Sequence, residues 1–262
     1  MKHLSYIISL VTVLMVCSCS HIDESERYIY VEPASVARTV LVEEFTGQRC
    51  VNCPNAAEEI LRIQKQYGET NVIAVSIHAG PLAVFSSSQT KGLRTELGDI
   101  YYNHWGVEVE PSGLVDRKGG LSLSDQWQTL VHQELQQQAP LMMDATCTMG
   151  SDGEVDIQLS IHLTADVKGR VQVWLTEDNI VAPQMMPDGT MNSEYLHQHV
   201  LRAAVNGTWG EDVNWKQGDS ELLTYRYKPE AEWNLSQLSV VAFVYDDSGV
   251  LQVCKQGIII IN

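Results

Sequence analysis

VLVEEFTGQRCVNCPNAAEEILRIQKQYG, residues 40–68, decides how this chain is read. From Thr39 to Thr46 the chain is β-rich and reads as a strand. From Asn52 to Tyr67 it turns helical, with Ala56, Ile60, Ile63 and Tyr67 on one face and Gly68 as the stop. Cys50 and Cys53 stand at the junction as a C-x-x-C. Three chemistries use that spacing: a redox couple, half of a zinc site, and a local disulfide staple. Structural zinc takes four ligands, and a second C-x-x-C or C/H pair should stand nearby. The next cysteine is Cys147 and His78 is alone, so neither a metal nor any other cofactor is expected. The redox and staple readings both stay open.

Three features favour redox chemistry. A cysteine pair at a helix start meets unpaired backbone N–H groups and the positive end of the helix dipole, which favour thiolate at Cys50. Glu44 is an odd residue for an apolar strand, and it is placed to exchange a proton with Cys53. Pro111, preceded by Glu110, opens a short strand where a proline can present its neighbour's backbone to an incoming peptide. On this reading Cys50 is the open, readily alkylated thiol and Cys53 is shielded.

Further along, Val72 to His78 reads as a strand covered on both faces. A second helix is expected over Gln89 to His104, a hairpin turning at Lys118-Gly119-Gly120, and a helix from Ser124 or Asp125 to Gln138. Beyond Leu141 the chain changes character: Glu154 to Thr164 alternates with period two, as do parts of Arg170 to Thr176 and Leu222 to Tyr227, and Leu238 to Tyr245 and Gly249 to Ile261 read as further strands. Six or seven such strands imply an antiparallel sandwich, with Met185 to Trp215 inserted between strands.

At the other end, MKHLSYIISLVTVLMVCSCS has a positive start and an apolar run too short to span a bilayer comfortably. It ends on cysteine, the pattern of a bacterial lipoprotein signal, and Cys19 after Ser18 is the expected acylation site. The expected organisation is residues 1–19 signal peptide, 20–37 tether, 38–139 α/β domain and 140–262 β-sandwich domain. The formal charge of −16 becomes −17 once Lys2 leaves with the signal, so nucleic acid is excluded as a partner and the membrane is met only through the lipid anchor.

Strand, C-x-x-C, helix, then a proline before a terminal hairpin and helix resembles the thioredoxin superfamily. That resemblance implies Cys50 as attacking thiol, Cys53 as resolving thiol, Glu44 as buried acid and Pro111 as a cis-proline, with Glu110 beside it in the substrate groove. LVEEFTGQRCVNCPNA, PSGLVDR, YLHQHVLRAAVNGTWGE and VVAFVYDDSGVLQVCKQGI are similar to the outer membrane protein 28 family, lipoproteins of Bacteroidota. It implies an α/β thioredoxin-like domain followed by an all-β immunoglobulin-like sandwich domain, in the cell envelope on the periplasmic or surface face of the outer membrane. Two functions follow. One is a lipid-anchored thiol–disulfide oxidoreductase whose partners are protein thiols and disulfides. The other is a surface binding or adhesion lipoprotein in which the C-x-x-C is only a staple.

Three side groups have bland readings beside the functional ones. Tyr195, His197, His199 and Arg202 form Y-x-H-x-H-x-x-R, a structural hydrogen-bonded cluster unless a third ligand joins the two histidines. Trp209 and Trp215 are packing residues or a ligand platform. Cys147 and Cys254, on the first and last sandwich strands, are a structural disulfide or two free thiols.

Overall fold

In a computed structural model of the chain, residues 38–261 are described. The expected signal peptide, acylation site Cys19 and tether lie outside the described residues. The first half holds β1 (Val40–Thr46), α1 (Cys53–Tyr67), β2 (Val72–His78), α2 (Glu96–Trp105), β3 (Ser112–Val115) and α3 (Ser124–Leu135). Strands then follow without a further α-helix among the described residues: β4 (Leu141–Met149), β5 (Val155–Leu163), β6 (Val167–Glu177), β7 (Ile180–Met185), β8 (Met191–His197), β9 (Val200–Ala204), β10 (Glu211–Trp215), β11 (Ser220–Tyr227), β12 (Leu238–Asp246), β13 (Gly249–Gly257) and β14 (Ile259–Ile260). No described helix is long and apolar enough to cross a membrane.

The expected α/β thioredoxin-like domain followed by a separate all-β immunoglobulin-like sandwich is corrected here. The described chain is mostly β with three α-helices, and the strands of both halves share an eight-stranded sheet in the order β13-β12-β6-β9-β2-β1-β3, with β10 paired to β6. The join is β9, which meets β2 in parallel at Ser76 and Val200 and runs antiparallel along β6. The stretch expected as an insertion, Met185 to Trp215, therefore supplies three strands, one of which carries the sheet from one half into the other. A four-stranded sheet, β11-β5-β4-β14, packs its alternating apolar face against β6 and β12. The second expected helix is shorter than its sequence window, because Ser86 to Thr95 forms a loop that ends on the Thr95 cap of α2.

Strand β1 sorts its residues by period two, sending successive side chains to opposite faces. Val40 and Val42 join the core beneath α1 and α3, while Leu41 and Phe45 join the one beneath α2 that also holds Trp174 and Phe243. The consecutive glutamates are thus forced apart. Glu43 meets Arg117, whose Nε and Nη2 each donate to it at 2.8 Å, with both side chains almost fully buried. The guanidinium lies over Tyr245 at 4.7 Å and Phe243 at 4.9 Å, with Trp174 and Trp105 somewhat farther. Next to it, Asp116 accepts from the Leu41 N–H at 2.8 Å and from Arg38, and its carbonyl accepts from the Val250 N–H at 2.7 Å. Both Asp116 and Arg117 have positive φ (49° and 57°), which non-glycine residues hold only where the surroundings over-determine it.

Removing one member of a buried ion pair leaves the other charge without compensation and costs about 3–5 kcal/mol, whereas apolar replacement of both is far milder. Arg117→Met should therefore destabilise the chain by that order in urea unfolding. The double variant Arg117→Met, Glu43→Leu should recover most of the loss. A double variant no better than the single would remove the pair as the source of the effect.

Candidate functional site

Helix α1 starts at Cys53 with Pro54 in its first turn, where a missing N–H leaves no intrahelical bond unmade. Cys50 and Cys53 form a disulfide with their Cα atoms 5.4 Å apart. With the disulfide formed, the two residues are 2% and 3% exposed. The cover comes from the second half of the chain. Gln184, in the β7–β8 hairpin, donates from Nε2 to the Cys50 carbonyl at 2.9 Å, and the Met185 N–H donates to the Gln48 carbonyl at 2.8 Å. Gln48 in turn donates to the carbonyls of Lys91 and Pro183 and accepts from the Leu93 N–H.

Beneath the disulfide lies a cavity of about 80 Å³, walled by Glu44, Cys53, Ser76, His78, Tyr195 and His197 among others. Ser76 donates to Oε2 of Glu44 at 3.1 Å. Oε1 of Glu44, Nδ1 of His78 and Nε2 of His197 are buried there with no hydrogen-bond partner. The two imidazoles meet edge to face with centroids 5.1 Å apart. Burial pushes the Glu44 carboxyl up to about 7, against the Ser76 hydrogen bond and with help from the charge of Glu110. Burial also lowers both histidines, His78 well below its usual range and His197 to about 4.

Across the disulfide, the peptide from Glu110 to Pro111 is cis. A carboxylate oxygen of Glu110 and the sulfurs of Cys50 and Cys53 all lie within 4.8 Å of one another. Neither Glu110 oxygen is reached by solvent or accepts a well-formed hydrogen bond. Burial raises this carboxyl to about 7 as well, with Tyr102 and Arg94 pulling the other way. The approach depends on Gly80, whose φ is +68°: a Cβ there would stand 2.5 Å from the Tyr102 ring and 3.0 Å from Oε1 of Glu110.

All five residues singled out at the pair, Cys50, Cys53, Glu44, Glu110 and Pro111, are thus in one neighbourhood. The Y-x-H-x-H-x-x-R cluster divides instead of forming one group. Tyr195, His197 and His199 line the cavity, with His199 also paired to Asp178 at 2.9 Å, while Arg202 pairs with Glu177 at 3.3 Å. Trp209 packs between Tyr101 and His104, and Trp215 sits in the sandwich core. Cys147 and Cys254 are free thiols, both pushed up to about 12 by burial. Gln184, His78 and Gly80 were not anticipated as parts of the site. A glutamine in the otherwise apolar IVAPQM is the one local signal that pointed to Gln184.

The family model for outer membrane protein Omp28 matches residues 98–259. The chain belongs to the outer membrane protein Omp28 family. That membership makes it an outer membrane protein of the cell envelope. No curated protein matches it. Among solved structures it is similar to HBP35 of Porphyromonas gingivalis, with 16% identity, a TM-score of 0.66, and coverage of 84% of this chain and 75% of that one, a likeness of fold. A domain of the outer membrane lipoprotein Omp28 from Porphyromonas gingivalis matches at 25% identity over 47% of this chain and 92% of that one, with a TM-score of 0.34.

The buried histidines give the site a pH signature. Folded, both stay neutral; unfolded, each binds a proton below about pH 6.5. Stability that is complete above that pH is therefore lost as pH falls through the folded value of about 4 for His197. Unfolding midpoints measured at about pH 7.5 and about pH 5 should drop less in His197→Phe than in the wild type. Equal drops in the two proteins would place the acid sensitivity elsewhere.

Proposed function

We propose that this lipoprotein carries out thiol–disulfide exchange on protein cysteines at the outer membrane, held there by a lipid on Cys19. The observation that carries it is the cavity shared by Cys53 and a buried carboxyl of Glu44 whose Oε1 has no hydrogen-bond partner. An inert staple has no use for an ionisable acid held beneath its sulfur. Starting from the reduced pair, the Cys50 thiolate attacks a substrate disulfide and expels one substrate thiolate. Cys53 then gives its proton to Glu44 and displaces the second substrate sulfur, leaving the Cys50–Cys53 disulfide and a substrate dithiol. Glu110 and Pro111 form the side of the groove on which the substrate chain rests.

A second reading has its own observation. Both sulfurs are covered and the Cys50 carbonyl is tied to Gln184, as a staple in a binding lipoprotein would be. Insulin reduction with a small dithiol as electron source separates the two. The wild type should accelerate it, Cys50→Ser should fall to background, and Glu44→Gln should slow it by roughly 10²-fold, the scale of a lost proton acceptor. A wild type with no activity, whose melting temperature drops sharply on reduction, would establish the staple reading instead. For the anchor, Cys19→Ala should move the protein from the detergent phase to the aqueous phase; unchanged partitioning together with fatty-acid labelling would exclude Cys19.

A further inference from the structure

The geometry points to a zinc site made by the same two cysteines in their reduced state, with the Glu110 carboxylate as third ligand and a fourth position left to water or a substrate group. The sequence offers no third donor near the C-x-x-C, and the fold supplies one from the loop before β3. The two sulfurs and a Glu110 oxygen lie within 4.8 Å of one another. Tetrahedral zinc, with Zn–S near 2.3 Å and Zn–O near 2.1 Å, places two sulfurs about 3.8 Å apart and sulfur and oxygen about 3.6 Å apart. The group therefore has to move little, since the sulfurs part once their bond opens while the backbone stays in place.

Charge supports the same assignment. Both oxygens of Glu110 are buried without a well-formed hydrogen bond, and one of them lies with the sulfurs. Beside a disulfide, such a carboxyl gains nothing from ionising. Beside two thiolates, three anionic donors converge, an arrangement that a divalent cation resolves. Thiolate and carboxylate together suit a borderline ion that accepts both. Three protein ligands with one open position is the arrangement of exchangeable or catalytic zinc rather than of a closed structural site.

The chemistry balances without further groups. A dithiol reduces the disulfide, becoming a disulfide itself and leaving two cysteine thiols. Zinc binding then releases the two thiol protons. Oxidation by a substrate disulfide forms the Cys50–Cys53 bond, reduces that substrate to a dithiol and expels the ion. Metal occupancy and the disulfide thus exclude each other. The inference shares one element with the exchange reading, that the disulfide opens under reductant, and thiol titration checks that step first.

The test is equilibrium dialysis of the full chain against zinc, with reductant removed, in oxidised and reduced protein. Reduced wild type should bind one ion that the oxidised protein does not. Glu110→Gln should bind at least about tenfold more weakly, as expected for loss of a direct ligand when even outer-shell losses cost that much. Glu110→Asp, which keeps the carboxylate, should recover part of the affinity, and matching thermal melts confirm that both variants fold. Cobalt substitution should give a thiolate charge-transfer band that Cys50→Ser abolishes. Reduced protein that binds no zinc, or binds it equally well in Glu110→Gln or Cys50→Ser, overturns the metal site and leaves exchange standing. A disulfide that resists reduction overturns both.

Discussion

Everything in this fold hangs on a buried charge pair, Arg117 with Glu43, which holds the last turn of β3 against β1 while an aromatic wall from the second half closes over it. Four charged side chains share the region, with Arg38 and Asp116 as the second pair. Each touches a different part of the chain: Arg38 lies before β1, Glu43 within it, and Asp116 and Arg117 just beyond β3. The carbonyl of Asp116 then reaches Val250 on β13. Ionic groups taken out of water must be matched closely, and matching of this kind fixes register where apolar packing would tolerate slippage. The shared sheet is tied to it, because β1 and β3 cannot shift relative to β13 without losing the hydrogen bonds that Asp116 and Arg38 make to the backbone of Val250.

That rigidity determines how the cysteine pair is presented. The loop from Gly47 to Asn52 is clasped by the β7–β8 hairpin through Gln184 and Met185, and the hairpin is continuous in sequence with β9 in the shared sheet. The first half supplies the sulfurs, Glu44 and Glu110. The second half supplies the lid and two walls of the cavity, His197 and Tyr195. A free-standing α/β domain would have left Cys50 at a solvent-exposed tip. Here any partner or ion must reach the sulfurs from the Glu110 side or displace the hairpin.

Local chemistry was legible and long-range pairing was not. Strands β1 and β2 and helix α1 follow from apolar periodicity, and a Gly68 stop, a proline at the helix start and the C-x-x-C are local features. Strand β9, VLRAA, is short, carries an arginine and meets β2 at one residue pair, so nothing in its own composition announces that it joins the halves. The two-domain reading failed there. Glu43 and Glu44 looked alike in sequence. Period two sends one to Arg117 and the other to the cavity, but which face holds which partner depends on residues more than 30 positions away. Glu110 was expected near the pair, yet its role as a third donor could emerge only from distances.

The two sets of buried acids in this molecule differ in kind. Glu43 and Asp116 meet arginines with bidentate or multiple donors, and such groups are architecture. Glu44 and Glu110 form no ion pair; one has a serine hydroxyl, the other only weak help from Tyr102 and Arg94, and burial raises both towards neutral pH. Leaving two carboxyls uncompensated costs stability that pairing or apolar replacement would spare. Both lie within reach of the one feature whose charge changes, a cysteine pair that is neutral when oxidised and gains up to two negative charges when reduced and deprotonated. Groups that exchange protons or cations with those sulfurs have a use for being unpaired, and groups that only hold a fold together do not.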